Sequence, residues 1–398
     1  MNRFYVIGIN DNPEQCFTPE VLDLIEAGSV FSGGRRHYEI VQSLLPEASL
    51  WIDITVPLDS VFEQYMAYPA IIVFASGDPL FYGFANTIQK RLPEAEIKLY
   101  PSFNSLQLLA HRLLMPYHDM RIVSLTGRPW HELDRALIER ASKIGILTDS
   151  KEHTPATIAN RMLSYNLSNY ILYVGEHLGH PTKQRIQCLG LEQAAMMEFE
   201  SPNCVILLQN GTPYPRMYGI PDELFAFLNG REKMITKMPI RLLSLQMLGL
   251  EQCHSFWDIG FCTGSVSIEA KNLFPHLQVT AFEIRKEGQD LMEVNSRRCA
   301  VPGINYHIAD FCQVDLSELE KPDAVFIGGH GGQLKKIVRR IEERLTTNGR
   351  IVFNSVSEES RHFFHEAIKE SNMTIEKELS VTIDTFNTIT ICQTIKKK

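Results

Sequence analysis

What the chain is short of narrows the field before any motif is read. No window of its 398 residues holds the roughly 18 uninterrupted apolar residues that a membrane span needs, so no membrane partner is expected. The opening stretch turns polar at Asn10-Asp11-Asn12 before a signal-peptide core forms. The eight cysteines include no Cys-x-x-Cys pair, and no His/Cys group has zinc-finger spacing. Reduced, mostly buried thiols, a cytoplasmic location and no bound metal are the expectation. Positive charge is the scarcer sign, with 39 Lys and Arg against 47 Asp and Glu and a net charge of −8. The chain therefore lacks the basic excess that nucleic-acid phosphates require, and no nucleic-acid partner is expected.

Complete nucleotide motifs are missing too. The run Ile72-Val-Phe-Ala-Ser-Gly-Asp-Pro-Leu-Phe-Tyr-Gly83 passes from an apolar strand into a tight turn, with neither the lysine nor the glycine fan of a phosphate cradle. In Trp257-Asp-Ile-Gly-Phe-Cys-Thr-Gly-Ser265 a dinucleotide fingerprint needs glycine at 260, 262 and 265, and the chain has Gly260, Cys262 and Ser265. The surroundings are more informative than the motif. A strand leads into this turn, a helix over 265–272 leaves it, and Glu283 ends the next strand 23 residues after Gly260. A carboxylate there can accept both hydroxyls of a ribose, as an adenosine-type ligand requires.

Short β-rich runs at 4–9, 70–75, 97–100, 121–125, 144–147, 170–174 and 204–208 alternate with amphipathic stretches such as 19–27 and 105–114. That alternation predicts α/β layers with a largely parallel sheet. Met115-Pro-Tyr-His-Asp119 divides the first half into lobes of about 1–115 and 120–210, turn formers mark a linker at 211–230, and a further unit runs over 231–398. Its strands are expected at 255–259, 278–283, 304–308, 324–327 and 350–354, followed by two β-rich runs at 378–383 and 387–394 joined by a short polar turn.

Three separated motifs, Met234-Ile-Thr-Lys-Met-Pro-Ile-Arg241, Trp257 to Glu269, and Pro322-Asp-Ala-Val-Phe-Ile-Gly-Gly-His-Gly-Gly332, resemble the C-terminal domain of the decarboxylating precorrin-6Y C5,15-methyltransferase family of corrin synthesis. The first half resembles that family's fusion partner, a tetrapyrrole methylase domain, through Val6-Ile-Gly-Ile9, Gly33-Gly-Arg-Arg-His37, Ala75 to Gly83, Pro101-Ser-Phe-Asn-Ser-Leu-Gln107, Val123 to Pro129 and Gly175-Glu-His-Leu-Gly179. The resemblance implies a two-lobed tetrapyrrole methylase fold followed by a Rossmann-like class I methyltransferase domain with a terminal β-hairpin, assembled as a homo-oligomer. It also implies one S-adenosylmethionine site in each half. Gly8, Ser76, Gly77, Asp78, Pro79, Phe81, Tyr82, Gly83, Asn104 and Ser105 would line the first. Thr236, Gly260, Phe261, Cys262, Thr263, Gly264, Glu283, Asp310 and Phe311 would line the second. Departures from the family pattern fall at Asn10–Asn12, at Pro101–Ser105, at Pro239 and at Cys262, where a side chain replaces the middle glycine.

The chemistry so implied is methylation of C-5 and C-15 of a late precorrin with decarboxylation of its C-12 acetate. An electron-rich ring carbon needs positioning and exclusion of water more than a strong base. The polycarboxylate tetrapyrrole needs cations instead, and Arg35, Arg36, Arg128, Lys237 and Arg241 are the candidates, with Gly328 and Gly329 beside the substrate. His330 is the candidate donor to a substrate carboxylate, or of a proton after decarboxylation. Two alternatives stay open: methylation of another acceptor, such as a different tetrapyrrole or an RNA base, and a chain in which only one half is active.

Overall fold

The computed structural model describes residues 2–212, 215–228, 231, 234–383 and 387–396. Packing divides them into two compact units. The first takes the chain up to Arg128 together with Ser142–Asn160 and Asn169–Gly211, and the second takes Pro129–Ala141, Arg161–Ser168 and the described chain from Thr212 onward. No helix among the described residues is long and apolar enough to cross a membrane.

The first unit holds two five-stranded sheets. One is ordered β3-β2-β4-β1-β5, from Leu50–Asp53, Val30–Gly33, Ala70–Ser76, Arg3–Ile9 and Glu96–Tyr100, and every pairing in it is parallel. The middles of β1 and β4 are apolar because both faces are covered. Phe4 and Val6 of β1 with Ile71, Val73 and Ala75 of β4 belong to one core cluster, while Ile7 and Ile9 with Ile72 and Phe74 belong to another. The other sheet is ordered β6-β7-β10-β8-β9, from Arg121–Ser124, Lys143–Leu147, Asn203–Gln209, Tyr170–Glu176 and Arg185–Gly190. Here the expectation of a largely parallel sheet fails. Only β6 and β7 run parallel, and β10 is antiparallel to both β7 and β8. An apolar run states that a strand is buried, not which way its neighbours point.

The seven-stranded sheet of the second unit is ordered β13-β12-β11-β14-β15-β17-β16. Ile304–Ile308, Gln278–Glu283, Ser255–Ile259, Ala324–Ile327 and Arg350–Ser355 are parallel, and the pair β16 (Met373–Val381) and β17 (Ile389–Lys396) closes the edge antiparallel. The polar turn expected between that pair falls at 384–386, outside the described residues. β16 is tied to the helix Glu358–Lys369 through Glu378, whose oxygens accept from Arg361 at 2.8 and 3.2 Å and lie 2.8 Å from His365 Nε2 and 3.2 Å from Cys392 Sγ. The Arg361 guanidinium holds the Glu378 carboxyl down at about 2.

Part of the stretch expected to be a linker is packed. Ile220 and Phe225 are buried, and Arg216 donates to the carbonyls of Asn272 and Leu273 at the end of the helix Ser265–Leu273. The fastening of this segment is Arg241, which was expected at the substrate and is instead buried among protein partners, outside the cavity lining. Its side chain has no solvent exposure, and it donates to Glu269 at 3.1 Å, to Asp222 at 3.2 Å, to the Thr236 carbonyl at 2.9 Å and to the Ile220 carbonyl. Glu269, equally buried, also accepts from the Ile220 amide at 2.8 Å. Removing one partner of such a pair leaves an uncompensated buried charge, which costs about 3–5 kcal/mol. Arg241→Met should therefore lower the melting temperature of the second unit sharply, and Arg241→Met with Glu269→Gln should recover part of the loss. Equal melting of the wild type and the single variant in scanning calorimetry would contradict this assignment.

Candidate functional site

Both candidate sites lie at the carboxyl ends of parallel strands, where the loops of an open α/β sheet diverge and leave room for a ligand. In the second unit a cavity of about 590 Å³ is lined by Thr236, Lys237, Gly260, Phe261, Cys262, Thr263, Glu283, Asp310, Phe311, Gly328, Gly329 and His330, all named by sequence pattern. Gly264 and Arg241 are outside this lining. Gly264 is the N-cap of Ser265–Leu273 with φ of 74°, and a Cβ on it would stand 2.8 Å from Met292 Sδ. Its part is to turn the chain into the helix.

The geometry centres on Glu283. It is 3% exposed, and each carboxylate oxygen accepts one backbone amide, Oε2 from Cys262 at 2.9 Å and Oε1 from Arg285 at 3.0 Å. A carboxylate oxygen has two lone pairs, so the pair of oxygens can still accept two hydroxyls side by side, as a ribose presents them. Cys262 adopts φ of 51°, a conformation glycine takes more readily, and its amide is thereby aimed at Glu283. Burial pushes the Cys262 thiol up, and the charge of Glu283 adds to it, so the sulfur stays protonated. Gly260 is required by space: a Cβ there would lie 2.6 Å from the Gly329 amide nitrogen.

Two participants escaped the sequence search. Asp258 is fully buried, accepts from Ser267 N at 3.1 Å and Ser267 Oγ at 2.6 Å, and lines the cavity with its Oδ1 unpartnered. Burial raises its carboxyl to about 7, and the nearby Glu283 pushes the same way. The signal was present, since an acid inside Phe256-Trp-Asp-Ile259 interrupts a buried strand. Asn295, also buried, donates to the Thr263 carbonyl at 2.8 Å and holds the turn from beneath. Nothing in its helical context points to that. His330 accepts the Gly332 amide on Nδ1 at 3.2 Å, and burial lowers its pKa, so it presents a neutral ring with an Nε2–H donor.

In the first unit a cavity of about 620 Å³ is lined by Arg36, Ser76, Gly77, Phe81, Tyr82, Gly83, Asn104, Ser105 and Arg128 from the expected set. Asn104 caps the helix Ser105–Arg112 by accepting the Gln107 amide at 2.9 Å. Arg128 donates to Ser124 Oγ at 2.8 Å and lies over the Tyr82 ring at 5.1 Å.

Four expected residues are placed differently. Asp78 and Pro79 do not line the cavity: Asp78 Oδ1 accepts the Leu80 amide at 2.8 Å and so closes its own turn, and Pro79 is buried. Gly8 lies below, where a Cβ would come 1.9 Å from the Gly77 carbonyl oxygen. Arg35 points into solvent, its side chain 92% exposed and paired with Glu39 at 3.2 Å. The acid that does border the cavity is Asp11, which holds Arg36 at 2.9 Å and lies 2.7 Å from His177 Nδ1.

A tetrapyrrole (corrin/porphyrin) methylase family model matches residues 3–194, and a precorrin methyltransferase domain model matches residues 227–388. A precorrin-6Y C(5,15)-methyltransferase [decarboxylating] from Sinorhizobium sp is 30% identical over 358 residues, covering 88% of this chain and 84% of that one. Two shorter relatives come from Salmonella typhimurium. A cobalt-precorrin-6B C(15)-methyltransferase (decarboxylating) is 37% identical over 35% of this chain and 71% of its own length, and a cobalt-precorrin-7 C(5)-methyltransferase is 25% identical over 51% of this chain and 97% of its own. With two family models in this order and a relative matched along most of both chains, this chain belongs to the decarboxylating precorrin-6Y C(5,15)-methyltransferase family.

Proposed function

We propose that this chain methylates C-5 and C-15 of a late precorrin and removes carbon dioxide from the C-12 acetate, drawing both methyl groups from S-adenosylmethionine. The observation that carries the proposal is the pairing of two cavities of similar size, one in each unit, with a relative named for both methylations that matches 88% of this chain. The tetrapyrrole methylase match in the first half supports assigning C-5 there, and the precorrin methyltransferase match in the second supports assigning C-15 with decarboxylation. A cytoplasmic homo-oligomer that acts without nucleic acid completes the proposal, the net charge of −8 supporting its last element.

The second cavity fits the cofactor by chemistry. Glu283 offers a fixed pair of acceptors for a ribose, the unpartnered Asp258 Oδ1 is an acceptor for a cationic group, and the Gly260 backbone leaves space a side chain would fill. S-adenosylmethionine bound there supplies an electrophilic methyl group. The chain's residues hold the acceptor carbon in line and keep water out, the largest contribution available to a displacement that needs no strong base. Lys237, on the cavity wall, meets a substrate carboxylate. On decarboxylation the electron pair passes into the conjugated macrocycle, and His330, on the cavity wall with a neutral ring, is placed to orient the departing carboxylate by donating a hydrogen bond, while solvent supplies the proton that replaces it.

Incubation of the purified chain with precorrin-6B or its cobalt form and S-adenosylmethionine should add two methyl groups and remove one carbon dioxide by mass; an unchanged mass with both substrates would sink the proposal. Glu283→Gln should weaken S-adenosylhomocysteine at one of two calorimetric sites by roughly 10–100-fold, the loss of a hydrogen bond to a charged group. A single site in the wild type would limit activity to one half. His330→Ala should slow decarboxylation while leaving C-5 methylation intact, and unchanged decarboxylation and C-15 methylation would remove His330 from the mechanism.

A further inference from the structure

Ser76, the last residue of β4, carries a hydroxyl whose direction its neighbours decide. The Gly34 amide donates to His37 Nδ1 at 3.2 Å, so the ring proton belongs on Nε2, which lies 2.9 Å from Ser76 Oγ. Burial and the Arg36 charge pull His37 down to about 4 against the opposing effect of the Phe74 carbonyl, so the ring is neutral and carries one proton. Arg36 Nη2 donates to the same oxygen at 2.8 Å. A hydroxyl oxygen has two lone pairs and one proton, and here both lone pairs are taken. The proton is the only valence left, and among the described residues no acceptor engages it.

The arrangement is rigid and open to the cavity. Arg36 is anchored through Nη1 to Asp11 Oδ1 at 2.9 Å, and Asp11, 11% exposed, is bordered by His177 Nδ1 at 2.7 Å on its other oxygen. Asp11 offsets the Arg36 charge, so the group selects less by net charge than by aimed donors. Ser76 is exposed and lines the cavity of the first unit beside Arg36 and His37. A ligand group that meets it must accept a hydrogen bond, and the adjacent guanidinium, with unused N–H groups, favours an anion.

We propose that Ser76 is a one-way hydrogen-bond donor to a ligand carboxylate in this cavity, with Arg36 as the second donor and His37 as the positioning residue that fixes the direction of the hydroxyl. The class of ligand rests on the proposed function. That function offers two sources of carboxylate, the side chains of the tetrapyrrole and the amino-acid end of S-adenosylmethionine.

The test titrates the full chain with S-adenosylhomocysteine and, separately, with precorrin-7, and compares the wild type with Ser76→Ala. Loss of a hydrogen bond to a charged acceptor should weaken one probe about 10–100-fold. Weakening of precorrin-7 alone identifies a substrate carboxylate, and weakening of S-adenosylhomocysteine alone identifies the cofactor's. Affinities unchanged for both probes overturn the assignment, and a wild-type chain that binds neither overturns the proposed function along with it. His37→Ala should weaken the same probe in the wild type and add nothing in the Ser76→Ala background, whereas His37→Gln, which keeps a donor, should restore binding. Additive losses in the double variant would remove the positioning role.

Discussion

In each unit two parallel strands end side by side, and a glycine at or just past the end of one lies against the backbone that follows the other. β1 and β4 are joined along Arg3 to Ile9, and where they end a Cβ on Gly8 would meet the Gly77 carbonyl oxygen at 1.9 Å. β11 and β14 are joined from Phe256 to Ile259, and a Cβ on Gly260 would meet Gly329 at 2.6 Å. Real side-chain contacts do not become this short, so the approach exists only because the residues are glycine. The turn at Ser76 and Gly77 and the turn from Gly260 to Thr263 both hang from these contacts. Each brings backbone amides and small residues to the rim of its cavity.

Charge is used twice over, and position decides which use a residue serves. Arg241 and Glu269 fasten the chain leading into the second unit, fully out of water and hydrogen-bonded to one another, to Asp222 and to backbone carbonyls and amides. Glu283, nearly as buried, spends one lone pair of each oxygen on a backbone amide, has the Arg285 guanidinium 3.6 Å from Oε1, and lines the cavity. Asp78 and Asp11 divide in the same way: the first closes its own turn, and the second aims Arg36 across the cavity mouth. Formal charge and nearness to a motif could not separate these cases. The count of unspent donors and acceptors does.

The apolar runs of β1, β4, β10, β11 and β14 were legible because strands buried on both faces are apolar at nearly every position. β2 was missed because its apolar run stops after two residues at Ser32 and Gly33, and β3 and β9 were missed because they carry exposed positions. Such strands show no periodicity, and their pairing is supplied by neighbours distant in sequence. The same limit applied to Asn295, joined to Thr263 across 32 positions, and to His177, joined to Asp11 across 166.

The sequence by itself determined the layered α/β class, the order of the two halves, the two glycine turns and Glu283 at the end of its strand, because those depend on apolar burial, local turn geometry and fixed spacing. Only the tertiary structure decided the direction of β10, the burial of Arg241, the exposure of Arg35, the retreat of Asp78 from the cavity and the aim of the Ser76 hydroxyl. Each of these depends on which donors and acceptors meet across the fold. That is set by packing between segments far apart in the chain, which no local pattern records.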